Sequence, residues 1–152
     1  ALAMNILGNR EDAEDACQDA FIQVFLHRGD FDFQRNFRNW LYTIVYRRCV
    51  DQLRKRRRFS RFFEKSRSEP SLVPEPQRAN CGQTQDFFPR ALEQLSLKER
   101  TALSLWANEG YTSQEISQVM NCSASTVRIY LFHARKKIKA YLEKDHAALK
   151  AY

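Results

Sequence analysis

Apolar residues recur along this chain at spacings of three and four, and no stretch alternates in the every-other-residue manner of a strand. The spacing predicts a first long helix over about 11–27, with Ala13, Ala16, Cys17, Ala20, Phe21, Val24 and Phe25 as its buried stripe. Gly29 and Asp30 end it, and Phe31–Asn36 reads as a polar loop carrying two aromatics. A second long helix is expected from Phe37 to about Arg57. Its buried stripe is Phe37, Trp40, Leu41, Ile44 and Val45. Tyr42, Thr43, Tyr46 and Val50 fall on the far side, which leaves both tyrosines exposed. Arg47, Asp51 and Arg54 project from one edge, while Arg48 falls on the apolar stripe and has to snorkel.

The pattern then lapses. Ser66–Asp86 is rich in Ser, Pro, Gln and Asn, holds Pro70, Pro74 and Pro76, and offers only Leu72 and Val73 for burial. It reads as a flexible linker. The expected architecture is therefore all-α: two small helical domains, residues 1–63 and 87–152, joined by a linker over 64–86.

Periodicity resumes in the second half. Leu92, Leu95, Leu97, Ala102, Leu103 and Trp106 place an apolar face on two short helices, and Gly110 ends the second. Thr112 with Glu115 three residues on makes a capping box for a short helix Ser113–Met120. Asn121-Cys122-Ser123 turns the chain into a longer helix from about Ala124 to Lys144, with core stripe Val127, Leu131, Ala134, Ile138 and Leu142. A short helix, a tight turn and a longer basic helix form the helix-turn-helix pattern, whose second helix enters the major groove. Ser125, Ile129, Phe132 and Lys136 lie opposite the core stripe, flanked by Arg128 and His133. Arg128 has the fork geometry for a guanine edge, and Ile129 and Phe132 suit thymine methyls. Arg135, Lys136, Lys137 and Lys139 would meet phosphates. The competing reading is an ordinary amphipathic helix with a basic solvent face.

Charge sharpens this picture. The 152 residues carry a net charge of +7, which suits a polyanionic partner. From Arg47 to Arg67 ten Lys or Arg face only Asp51 and Glu64, a local +8, so the rest of the chain is close to neutral. Five consecutive bases, Arg54–Arg58, exceed what complementing a helix C-terminus requires. Beside Tyr42 and Tyr46 they look like a surface that holds phosphates and stacks bases, against the alternative of a solvated basic tail. The first helix is instead acidic: Glu11, Asp12, Glu14, Asp15 and Asp19 either complement the N-terminal dipole or form a docking face for a basic partner.

Other classes fall away. No apolar run approaches the roughly 20 residues of a membrane-spanning helix, and no signal-peptide pattern is visible. The four cysteines are far apart and form no CxxC pair, so no metal or other cofactor is expected. His27, His133 and His146 have no neighbouring carboxylate or cysteine arrangement that suggests catalysis, which disfavours a nuclease or other enzyme. A helix-turn-helix repressor would account for residues 87–145 but not for the first half.

Both halves resemble one family in the same order: the extracytoplasmic-function group of bacterial sigma-70 factors. DAEDACQDAF (12–21) is similar to the region 2 helix that binds core polymerase, and FRNWLYTIVYRRCVDQLRKRRR (37–58) to the helix that recognises and opens the −10 element. LEQLSLKERTALSLWANEGYTSQEISQVMNCSASTVRIYLFHARKKI (92–138) is similar to region 4, the −35 reader. The resemblance implies that Asp12, Glu14, Asp15, Gln18 and Asp19 dock on the polymerase clamp. It implies a −10 surface of Phe31, Phe33, Asn36, Phe37, Tyr42, Tyr46, Arg47, Asp51, Arg54 and Arg57, with the Phe31–Phe37 loop capturing a flipped base. It implies a −35 surface of Ser125, Thr126, Arg128, Ile129, Phe132, His133 and Lys136. The implied partners are core RNA polymerase, promoter DNA and an anti-sigma factor, often membrane-anchored, in a bacterial cytoplasm. Arg47, Ile129, Tyr130 and His133 depart from the family's commoner Asn, Ser, Arg and Arg, so the scaffold roles carry over more firmly than any base preference. The chain opens at Ala1 without an initiator Met, and the expectation is that the first region 2 helix is only partly present.

Overall fold

The computed structural model describes residues 1–66 and 87–150, and its elements are helices: α1 (Leu2–Leu7), α2 (Arg10–Leu26), α3 (Phe37–Ser66), α4 (Phe87–Glu93), α5 (Leu97–Glu109), α6 (Ser113–Met120) and α7 (Ala124–Lys150). A short 3-10 turn, Arg28–Asp30, follows α2. Most of the proposed linker lies outside the described residues. No helix among the described residues is long and apolar enough to cross a membrane.

Local chemistry sets most boundaries. Gly8 ends α1 in the left-handed region (φ 69°), where a side chain would be strained. The Asn9 side chain then caps α2 by accepting from the N–H groups of Glu11 and Asp12. Ser96 and Glu99, three residues apart, form a capping box on α5. The predicted Thr112–Glu115 box caps α6. Asn121, also left-handed at φ 51°, ends α6, and the Cys122 N–H returns to the Ser117 carbonyl at 3.0 Å. That six-to-one bond closes a Schellman turn, whose tightness sets α7 against α6. Helix α3 runs beyond its expected end at Arg57, because nothing from Phe59 to Ser66 breaks a helix.

α1, α2 and α3 pack together, as do α5, α6 and α7, and the two groups share one continuous core. Leu2, Ala3, Ile6 and Leu7 bring α1 against both α3 and α5, and α3 also lies along α6. The buried centre includes Leu105, Ile116, Val119, Val127 and Cys49.

Two expected stripes are corrected. On α2 only Ala13, Ala16 and Ala20 are buried, while Phe21 and Phe25 are exposed. α3 crosses α2 over the small residues, which permit close approach, and leaves the phenylalanines outside. On α3 Phe37 is exposed, and Cys49 is fully buried. Trp106, expected on the apolar face of α5, is 43% exposed, and Arg135 covers it with its guanidinium 4.3 Å from the ring.

Candidate nucleic-acid and polymerase interfaces

On α2, Glu14, Asp15, Gln18 and Asp19 are exposed, at successive turns of one side. Asp12 differs. It accepts from Gln52 Nε2 at 2.9 Å and pairs with Arg56, so it ties α2 to α3 rather than facing outward. The hydrogen bond from Gln52 spans 40 residues, which no local pattern reveals. Phe21, Ile22, Phe25 and Leu26 continue the exposed surface beyond the acids as an apolar patch.

The loop before α3 builds an aromatic cluster. The ring of Phe31 lies 5.4 Å from Phe33, 5.5 Å from Phe37 and 4.9 Å from Trp40, mostly edge to face. Phe33 is 87% exposed. Trp40 thus joins the loop aromatics, a role its place in the apolar stripe concealed. Asn36 is occupied otherwise: its Oδ1 accepts from the N–H groups of Arg38 and Asn39 and caps α3.

Along α3, Arg47, Asp51 and Arg54 form one exposed stripe, with Asp51 3.6 Å from Arg54, and Arg57 and Arg58 continue the positive surface. Tyr42 and Tyr46, expected to be exposed beside them, are half-buried. Tyr42 meets Tyr111 edge to face at 5.6 Å. Burial, then hydrogen bonding to Glu109, pushes the Tyr42 phenol up to about 12. Burial also raises Tyr46, whose surroundings include Lys98, Cys122 and Tyr130 of the second half. Neighbouring residues complete the contact: Arg38 pairs with Glu109 at 2.8 Å and Asn39 donates to Gln118 at 3.0 Å. Hydrogen bonding to Tyr42 lowers Glu109, and the Arg38 bond adds to this against the opposing effect of burial.

On α7 the outward face matches expectation. Ser125, Arg128, Ile129, Phe132, His133 and Lys136 are exposed, with Phe132 edge-on to His133 at 5.7 Å. Thr126 is half-buried, and both its N–H and its hydroxyl meet the Ser123 hydroxyl in the first turn. Lys137 is not a free phosphate ligand: its Nζ lies 2.7 Å from Glu99, whose carboxyl also accepts from the Ser96 N–H. Burial opposes ionisation of Glu99, but the bonds from Lys137 and Ser96 outweigh it and hold the carboxyl below its ordinary range. An apolar groove of about 350 Å³ opens between α5 and α7, lined by Leu92, Leu103, Ala107, Ile138 and Leu142. Among the described residues no cluster of His, Cys, Asp and Glu could hold a metal ion.

The order of these surfaces matches known sequences. Residues 1–59 match sigma-70 region 2, and residues 88–138 match sigma-70 region 4. The chain belongs to the extracytoplasmic-function group of the sigma-70 family. This sigma factor is 29% identical to the RNA polymerase sigma-H factor of Pseudomonas aeruginosa, over 93% of this chain and 79% of that protein. It is 28% identical to the sigma factor EcfG of Rhodopseudomonas palustris, over 97% of this chain and 80% of that protein. Among solved structures it resembles the sigma factor RpoE of Bartonella quintana, captured with the anti-sigma factor NepR: TM-score 0.75, 25% identity, 93% of this chain and 88% of that one. The fold also matches CnrH, seen with the cytosolic domain of CnrY, at a TM-score of 0.68 and 24% identity, covering 95% of this chain and 79% of that one. In the sigma factor, α1 and α2 fall in the region 2 match and α3 begins within it, and α4–α7 begin within or beside the region 4 match.

Proposed function

We propose that this sigma factor binds core RNA polymerase through the exposed acids of α2, reads the −35 duplex with α7, and captures the opened −10 strand with α3 and the preceding aromatic loop. What supports this reading is that two separate basic surfaces, on α3 and on α7, are exposed beside the exposed acids of α2. Glu14, Asp15, Gln18 and Asp19 suit a basic clamp surface. Arg128 reads base edges, Ile129 and Phe132 meet apolar groups in the major groove, and Lys136 contacts phosphate. Extracting a base from the duplex costs a few kcal/mol. Restacking it on Phe31, Phe33 and Trp40 returns roughly 1–3 kcal/mol per base. Arg47, Arg54 and Arg57 neutralise the backbone, which makes the interaction strongly salt-dependent.

The bond-forming chemistry of RNA synthesis belongs to the polymerase, and this subunit contributes specificity and strand opening in the bacterial cytoplasm. An anti-sigma factor restrains it, by analogy with the Bartonella quintana relative captured with one, and a membrane-anchored form of that partner would couple release to an external signal. Run-off transcription with core polymerase tests the reading. Promoter-dependent transcript is expected only when the chain is added, and a folded chain that stimulates no promoter refutes it.

A further inference from the structure

We propose that Cys17 on α2 and Cys49 on α3 form a modification site, a dithiol that a hydroperoxide oxidises to a disulfide bridging the two helices. Both are free thiols, and both belong to the core where α2 meets α3. Neither takes part in the docking or DNA surfaces, so the inference is independent of the roles assigned to those faces.

The helix register brings the two together. Asp12 near the start of α2 meets Gln52 and Arg56 late in α3, so the helices run antiparallel. Cys17 lies five residues along α2 from Asp12, about 7.5 Å at 1.5 Å per residue. Cys49 lies three residues back from Gln52 and seven back from Arg56, about 4.5 and 10.5 Å, whose mean is the same about 7.5 Å. The two cysteines therefore stand at one level of the helix pair. They also share its contact. Cys17 is one turn from both Ala13 and Ala20, the buried small residues over which α3 crosses, and Cys49 is fully buried. Helices meeting over alanines approach at the near end of the roughly 8–10 Å range of axis separations. Facing Cα atoms then fall within the roughly 4.4–6.8 Å that a disulfide spans.

The two thiols differ in a way that orders the chemistry. Cys17 is half-buried and reachable, whereas Cys49 has no exposed surface. Burial pushes the Cys49 thiol up to about 12, and the Cys17 thiol alongside adds to this, so Cys49 holds almost no thiolate and does not react first. With hydrogen peroxide, Cys17 thiolate attacks one peroxide oxygen, the O–O bond breaks, and the departing hydroxide takes a proton to leave as water. Cys17 is now a sulfenic acid. Cys49 Sγ attacks that sulfur, the S–S bond forms, the S–O bond breaks, and the hydroxyl leaves with the Cys49 proton as a second water. Two thiols and one peroxide give one disulfide and two waters, and a cellular dithiol reverses the step. Disulfides of this reversible kind are the ones a reducing cytoplasm holds. The bridge fastens the helix bearing the exposed acids to the helix bearing the basic stripe.

Peptide mapping of the full folded chain tests the site. After treatment with hydrogen peroxide, alkylation of the remaining thiols and tryptic digestion without reductant, we expect peptide 11–28 joined to peptide 49–54, and their separation by dithiothreitol. The oxidised chain should melt roughly 5–10 °C higher than the reduced one, and neither Cys17→Ala nor Cys49→Ala should show a peroxide-dependent rise. In Cys49→Ala, dimedone should label a sulfenic acid at Cys17. In Cys17→Ala, Cys49 should remain a thiol. Where either variant fails to fold, the wild-type peptide map alone decides. The site is refuted if wild-type Cys17 passes to sulfinic acid without the bridge, or joins another cysteine instead of Cys49. It is equally refuted if the bridge forms only in denaturant, since the native packing would then not hold the thiols together.

Discussion

Replacing Lys137 with Met removes one end of the Lys137–Glu99 pair and keeps most of the aliphatic stem. Glu99 has 10% of its side chain exposed and Lys137 44%, so a nearly dry carboxylate loses a cation that is itself half in water. Breaking a fully buried pair costs about 3–5 kcal/mol, and an exposed pair is worth about 0–1 kcal/mol. The Ser96 N–H still holds the carboxylate at 2.8 Å, which places this case at about 1–2 kcal/mol between those limits. For a chain of this size the loss corresponds to roughly 3–6 °C in melting temperature. Because Glu99 is held below its ordinary value of 4.5, the pair contributes fully above that pH and is lost as pH falls through the depressed pKa. Urea unfolding followed by far-ultraviolet circular dichroism should show the full deficit of Lys137→Met at neutral pH and a vanishing one well below 4.5. A double-mutant cycle with Glu99→Gln should return a coupling of about 1 kcal/mol. The same lysine was expected at phosphates, and DNA binding separates the roles. Lys136→Met should reduce the salt slope by about one, and Lys137→Met should leave it unchanged. A variant with wild-type stability but a reduced salt slope would show that Lys137 faces DNA and refute the argument.

Three further predictions follow from other surfaces. Arg128→Ala should cost roughly 1–3 kcal/mol at a matched −35 element and little at a mismatched one, measured by mobility shift with polymerase, whereas an equal loss on all sequences would mean a phosphate contact. Asp15→Lys with Asp19→Lys should weaken association with core polymerase in a pull-down, and unchanged association would leave the acids only a helix-dipole role. Tyr42, raised to about 12, binds its proton more tightly in the packed state, so its contribution is complete below the ordinary value of 10.0 and lost as pH rises toward about 12. A phenolate absorbance titration should resolve late-titrating tyrosines in wild type, with the Tyr42 component moving downward in Glu109→Gln; a wild-type titration without any late component would contradict the burial.

Much of the molecule was legible because its signals are local. The Thr112–Glu115 box, the turn at Asn121 and the spacing of Val127, Leu131 and Ala134 each lie within a few residues, and the structure realises all three. The Ser96–Glu99 box is equally local. The outward set on α7 followed from the inward one, since a helix has only one opposite side. The errors have another origin. Phe21 and Phe25 share the stripe of Ala16 and Ala20, but a crossing helix covers only part of any stripe, and α3 settles over the alanines.

The sequence alone determined that the chain is helical, where most helices begin and end, which residues share a face, and that both halves carry the residues of one sigma-70 group. Helical periodicity and caps act over a turn or two, so they can be read from neighbours along the chain. Only tertiary structure decided what covers each face. It turned Asp12 inward to Arg56, took Lys137 away from DNA to Glu99, gathered Trp40 with the loop aromatics, and laid Tyr42 against Tyr111. Apart from the Trp40 cluster, these contacts join residues 38 to 71 positions apart, and no local pattern encodes which distant surface will arrive.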